Sequence, residues 1–147
     1  MGDWRANLVD DDAGLARIFR ETTRVAVLGA KAERGRSAFY VPAYLQAQGF
    51  ELALVNPKLG GRAVIGVPTV ATLADLERVD VIAVFRRPEF LPGHAAEILA
   101  LAWRPSVVWF QLGIRHDGAA EQLARAGIRV VQDRCMMPEH RRLMAVR

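Results

Sequence analysis

Lys31, Arg34 and Arg36 set three positive charges against one negative charge, Glu33, in the stretch GAKAERGRS that follows the apolar run RVAVL. Such a stretch suits a phosphate or a diphosphate. Gly29 and Ala30 let backbone come close to a guest. A helix starting near Ser37 offers unpaired N–H groups and a partial positive charge to an anion. The glycines do not have the spacing of a dinucleotide fingerprint, and no GxxxxGK[ST] triphosphate loop occurs. The second apolar run narrows the choice. It ends LVNPK, so Asn56, Pro57 and Lys58 stand where an NAD site places an acid for the ribose hydroxyls. A neutral and cationic end favours a ribose that carries a phosphate, as NADP and coenzyme A both do. Asn-Pro also starts a turn whatever the ligand.

Two further stretches can contribute. In VFRRPE, Phe85 and Arg86 could flank an adenine ring, because guanidinium groups stack on planar rings. One of Arg86 and Arg87 would then face the ligand and the other solvent, while Phe85 is equally readable as core. In FQLGIR, Gln111 adds a polar amide and Gly113 a flexible backbone. Machinery for bond-making is sparse. His94, His116 and His140 are scattered, no His/Cys/Asp/Glu group has metal-ligand spacing, and no serine sits in a nucleophile elbow. Cys135 reads first as an inert, buried thiol. A pairing of Cys135 with His140 would instead predict alkylation of the thiol near neutral pH.

These stretches share a position in the fold. The pattern predicts helices at 10–22, within 37–48, 92–103, 118–126 and 138–145, and strands at 24–29, 51–55, 80–85, 106–111 and 129–132. The second helix should start within a turn of Pro42, which has no N–H to donate. Residues 64–79 should hold a short strand and a short helix. The strands are unbroken apolar runs, so both faces of the sheet should be covered. That gives a single α/β domain with a Rossmann-like, doubly wound, mainly parallel sheet spanning 1–147, its core about 14–144. Ligands of such sheets sit beyond the carboxyl ends of the strands, where every stretch above falls.

Composition closes off other classes. The net charge is +4, with 18 arginines and two lysines, but no basic run is interleaved with aromatics as in a single-strand binder. No apolar run nears the ~20 residues of a membrane span. The N-terminus has no signal pattern, and the single cysteine cannot form an internal disulfide. A cytoplasmic protein that contacts neither membrane nor nucleic acid is expected. Trp103, Trp109 and the N-terminal helix could serve a homodimer face, a partner subunit or the core, with Trp109 read as core.

The chain resembles the stand-alone CoA-binding domain proteins, which are similar to the N-terminal nucleotide-binding domain of the succinyl-CoA synthetase alpha subunit. The resemblance is carried, in family order, by VAVLGA, RGRSAFYVPAYLQAQGF, VNP, IGVPTVATLADL, DVIAVFR, VVWFQLGI, AGIRVVQDRC and EHRRL, together spanning about residues 14–144. It implies coenzyme A, or an acyl-CoA, as the ligand. The backbone of Gly29, Ala30 and Lys31, with Arg36 and Ser37, would meet the phosphates. Asn56, Pro57 and Lys58 would lie near the adenosine ribose and its phosphate, Phe85 and Arg86 beside the nucleotide, and Gln111 and Gly113 on a loop that approaches CoA. The family often has proline where Ser37 stands. The synthetase's phosphorylated histidine belongs to a second domain without a counterpart here, so acyl-CoA ligation is not implied. Three functions compete: a non-catalytic CoA-binding, sensor or carrier module; an NADP- or NAD-dependent oxidoreductase or redox sensor; and a nucleic-acid binder suggested by charge alone.

Overall fold

The apolar runs assemble into one sheet in the computed structural model, which describes residues 2–144. Its strands are β1 (Arg24–Leu28), β2 (Glu51–Val55), β3 (Ala63–Val64), β4 (Val67–Val70), β5 (Val81–Val84), β6 (Val107–Phe110) and β7 (Arg129–Val131). They lie in the order β3-β4-β2-β1-β5-β6-β7. All neighbours are parallel except β3 and β4, which form an antiparallel pair.

Alternate side chains of each central strand enter two separate cores. Val25, Val27, Val81, Ala83 and Trp109 pack on one face with Leu15, Ile18 and Phe19 of α1 (Asp12–Glu21), Val41 and Leu45 of α2 (Ser37–Ala47), and Met136 of α5 (Met136–Leu143). Ala26, Leu28, Ile82, Val84 and Phe110 pack on the other with α3 (Leu91–Leu99) and α4 (Asp117–Arg125). This is why the strands read as continuous apolar runs. Trp109 is fully buried, as expected of a core residue. The 3₁₀ turn Trp4–Asn7 docks on α4 through Asn7 Nδ2, which donates to the Ala124 carbonyl at 2.9 Å. Leu8 then bridges Val130 and covers the β7 edge.

Three expectations are corrected. α2 begins at Ser37, more than a turn before Pro42, and Arg36 is its N-cap. The Ala38 carbonyl, which Pro42 cannot bond, instead accepts the Lys31 N–H at 3.3 Å. Residues 64–79 hold no α-helix. They contain the end of β3, all of β4 and a 3₁₀ turn at Leu73–Asp75. α3 stops at Leu99 rather than 103, while Trp103 donates its indole N–H to the Leu76 carbonyl at 2.9 Å. The last residue of the expected terminal helix, 145, lies outside the described residues. Among the described residues no helix is long and apolar enough to cross a membrane.

The topology fixes where a groove opens. After β1 the chain moves outward to β2 and β4, then returns to place β5 on the other side of β1. Loops leaving β1 and β5 therefore diverge, and a crevice lies between them at the carboxyl edge.

Candidate functional site

Gly29 leaves β1 at that crevice with φ of +91°. A Cβ there would lie 2.6 Å from the Phe85 carbonyl oxygen and 3.1 Å from Arg86 Cδ. The glycine is thus required by the meeting of the β1 and β5 exits, before any ligand is considered. Its N–H and that of Ala30 both donate to the Val55 carbonyl, at 2.9 and 3.2 Å, and the Lys31 N–H goes to Ala38. Those three donors are occupied inside the protein. The N–H groups of Ser37 and Ala38, in the first turn of α2, have no acceptor among the described residues.

Asn56 ties the second loop to the first. Its Nδ2 donates to the Ala30 carbonyl at 2.7 Å, while its Oδ1 accepts the Lys58 N–H at 3.0 Å and starts the 3₁₀ turn Pro57–Leu59. Lys58 is left exposed at the tip.

The β5 exit carries Arg86, which is half-buried and held on three sides. Its Nε donates to His94 Nε2 at 3.1 Å, and its guanidinium lies 4.5 Å from the Phe90 ring centre. Its Cδ sits near Gly29. Because His94 Nε2 accepts, the ring proton is on Nδ1, which donates to Glu97 Oε1 at 2.9 Å. Arg87 is exposed beside it, and Phe85 is half-buried, packed against the core and bordering the crevice. Among the described residues Lys31, Arg36, Lys58, Arg86 and Arg87 form no ion pair, whereas eight other arginines each pair with a carboxylate.

On the β6 side, Gln111 is 3% exposed and its Oε1 accepts the Met136 N–H at 3.1 Å. Its Nε2 is buried without a partner among the described residues. Gly113, at φ +84°, donates its N–H to Asp133 Oδ1 at 2.7 Å, fastening this loop to the β7 exit.

Together these exits enclose two joined hollows. The larger, about 660 Å³, is bordered by Gly29, Asn56, Pro57 and Lys58. The smaller, about 440 Å³, is bordered by Ser37, Gln111, Gly113 and Cys135. Lys31, Arg36, Phe85, Arg86 and Arg87 border both. Of the twelve residues singled out from sequence, only Ala30 is absent from this lining; it is buried in the core.

A family model described as a CoA binding domain matches residues 23–141. The chain belongs to this CoA-binding domain family. It is 32% identical over 129 residues to YneT of Bacillus subtilis strain 168, a protein described as uncharacterized, covering 87% of this chain and 93% of that one. It resembles a solved protein of Thermus thermophilus at 45% identity, with a TM-score of 0.86 over 91% of this chain and 99% of the other. A hypothetical protein from Pyrococcus horikoshii OT3 is similar at 28% identity, with a TM-score of 0.84 over 92% of this chain and 94% of the other.

In this CoA-binding domain the sequence reading missed the Arg86–His94–Glu97 chain. His94 and Glu97 are one helical turn apart on α3, a visible i, i+3 pair, but nothing local linked them to Arg86. The Cys135–His140 pairing does not form. His140 bonds the Tyr44 hydroxyl through Nδ1 at 2.8 Å and packs edge-on to Phe19, Tyr44 and Phe50. Burial pushes the Cys135 thiol above its ordinary value. The thiolate, which is the reactive form, is therefore scarcer at neutral pH than for a free cysteine. Alkylation of Cys135 by iodoacetamide should be slow at pH 7 and keep accelerating beyond the ordinary thiol range; a rate that levels off below that range contradicts this assignment.

Proposed function

We propose that this chain binds coenzyme A or an acyl-CoA at the joined hollows, as a cytoplasmic, non-catalytic binding, carrier or sensor module. One observation carries the reading: four cations, Lys31, Arg36, Arg86 and Arg87, stand on the border the two hollows share and a fifth, Lys58, on the larger one, none with a carboxylate partner among the described residues. A multiply phosphorylated, elongated ligand answers that arrangement. In this reading the adenosine and its ribose phosphate occupy the larger hollow near Lys58. The diphosphate crosses the shared border, meeting Arg36, Arg86 and the free N–H groups at the start of α2. The uncharged arm runs into the smaller hollow toward Gln111. Asn56, with its side chain already committed, acts as the fastening that holds Lys58 in place.

Titration calorimetry with CoA, 3′-dephospho-CoA, NADP and a short DNA duplex tests the reading. CoA should bind tightest and the duplex should give no heat above the buffer blank. A charge-assisted phosphate contact is worth about 1.5–3 kcal/mol, so loss of the 3′-phosphate or Lys58→Ala should weaken binding about 10- to 150-fold. Equal affinity for CoA and dephospho-CoA removes the ribose-phosphate assignment. Tighter binding of NADP than of CoA overturns the reading in favour of an oxidoreductase or redox sensor.

A further inference from the structure

We propose that Cys135 is a thiol-exchange site that captures the disulfide form of the ligand, holding coenzyme A as a mixed disulfide at the far end of the smaller hollow. The inference rests on the CoA reading above and adds a covalent modification to it.

Cys135 lines the same hollow as Gln111, and that hollow shares Lys31, Arg36 and Arg86 with the larger one. Gln111 supplies the independent sign of a guest. The Met136 N–H needs an acceptor, so it fixes which end of the amide is oxygen. The amide nitrogen is then left buried with no acceptor, the one such side-chain atom among the described residues. A buried donor without a partner is costly, and a carbonyl arriving from the hollow relieves it. The arm of coenzyme A carries two amide carbonyls on the way to its sulfur. The hollow also suits that arm in charge: no carboxylate lines it, and its cations sit only at the border shared with the larger hollow. An uncharged arm would thus lie between the phosphates at one end and the Cys135 sulfur at the other.

The step balances as an exchange. The Cys135 thiolate attacks one sulfur of the CoA disulfide, the old S–S bond breaks, and a CoA thiolate leaves and takes up the proton that Cys135 gave up. The Cys135 sulfur rises to the disulfide level as the departing CoA sulfur falls to the thiol level, so no outside oxidant is needed. The chain has no second cysteine to resolve the product, so it persists until an external thiol reverses it. Selectivity comes from proximity and not from an acidic thiol, because a bound disulfide is presented at high effective concentration.

The test compares CoA disulfide with glutathione disulfide at equal concentration, by intact mass under non-reducing conditions. Rates are normalised to the same reagents on the urea-unfolded chain, and CoA affinity is measured by calorimetry alongside. The folded chain should take one CoA, releasable by dithiothreitol, about 10- to 100-fold faster than it takes glutathione. Lys58→Ala should slow only the CoA reaction, and Cys135→Ser should abolish both. If CoA binds yet its disulfide reacts no faster than glutathione disulfide after normalisation, the exchange site is wrong and the binding reading survives. If CoA does not bind, the binding reading fails, and the exchange site with it.

Discussion

Gly29→Ala is expected to lower the melting temperature by about 6–15 °C. Two costs combine. The residue sits at φ +91°, where a Cβ costs about 1–2 kcal/mol. The new Cβ would also lie 2.6 Å from the Phe85 carbonyl oxygen, which is backbone in the neighbouring strand exit and cannot rotate away. Overpacking of that kind costs about 1–3 kcal/mol. A total of about 2–5 kcal/mol converts to the stated shift at about 3 °C per kcal/mol for a domain of this length. Gly49 provides the control, with φ of +100° and nothing within 4 Å of a built Cβ. Gly49→Ala should show only the backbone cost, about 1–2 kcal/mol. Thermal melts of the two variants that coincide would show that the β1 and β5 exits are not locked together as described.

Arg86→Ala should weaken CoA binding about 10- to 150-fold, the cost of one charge-assisted phosphate contact. Arg86 stands on the border common to both hollows, it has no carboxylate partner among the described residues, and its guanidinium is pre-positioned by His94 and Phe90. Little side-chain freedom remains to be lost on binding. Arg86→Lys should recover only part of the loss, because an ammonium lacks both the planar fork and the Nε donor that His94 accepts. His94→Ala removes one positioning hydrogen bond and should cost about 1 kcal/mol, roughly a fivefold weakening. Calorimetry on the three variants checks the ranking. An Arg86→Ala affinity within twofold of the parent would show that this side chain does not meet the ligand.

The parallel strands were readable because each is a short apolar run closed by glycine or a turn, a signal that depends only on burial on both faces. Their carboxyl ends followed from topology, and eleven of the twelve singled-out residues line the joined hollows. The β3–β4 hairpin was hidden for a physical reason. Its two-residue turn is Ile65-Gly66, both at positive φ, and a β-branched residue is disfavoured there. A pattern reader expects Asn or Asp in that place. The start of α2 was misplaced because the Pro42 penalty was treated as unavoidable, whereas the orphaned Ala38 carbonyl finds the Lys31 N–H across the loop. Ala30 was grouped with Gly29 by adjacency, yet its side chain turns into the core. Gln111 was visible as a polar residue after an apolar strand, but its orphaned amide nitrogen depends on Met136, 25 residues away.

The division of the lining between the β2 exit and the β6 and β7 exits has an evolutionary consequence. Residues before the crossover, Gly29 and Asn56 to Lys58, border only the larger hollow. Gln111, Gly113 and Cys135, all after it, border only the smaller. In the proposed reading, substitutions at the β6 and β7 exits can therefore retune what is done at the sulfur terminus while the address label read at the β2 exit stays intact. A lineage descended from such a chain has a ready route to diversify its cargo without relearning its carrier.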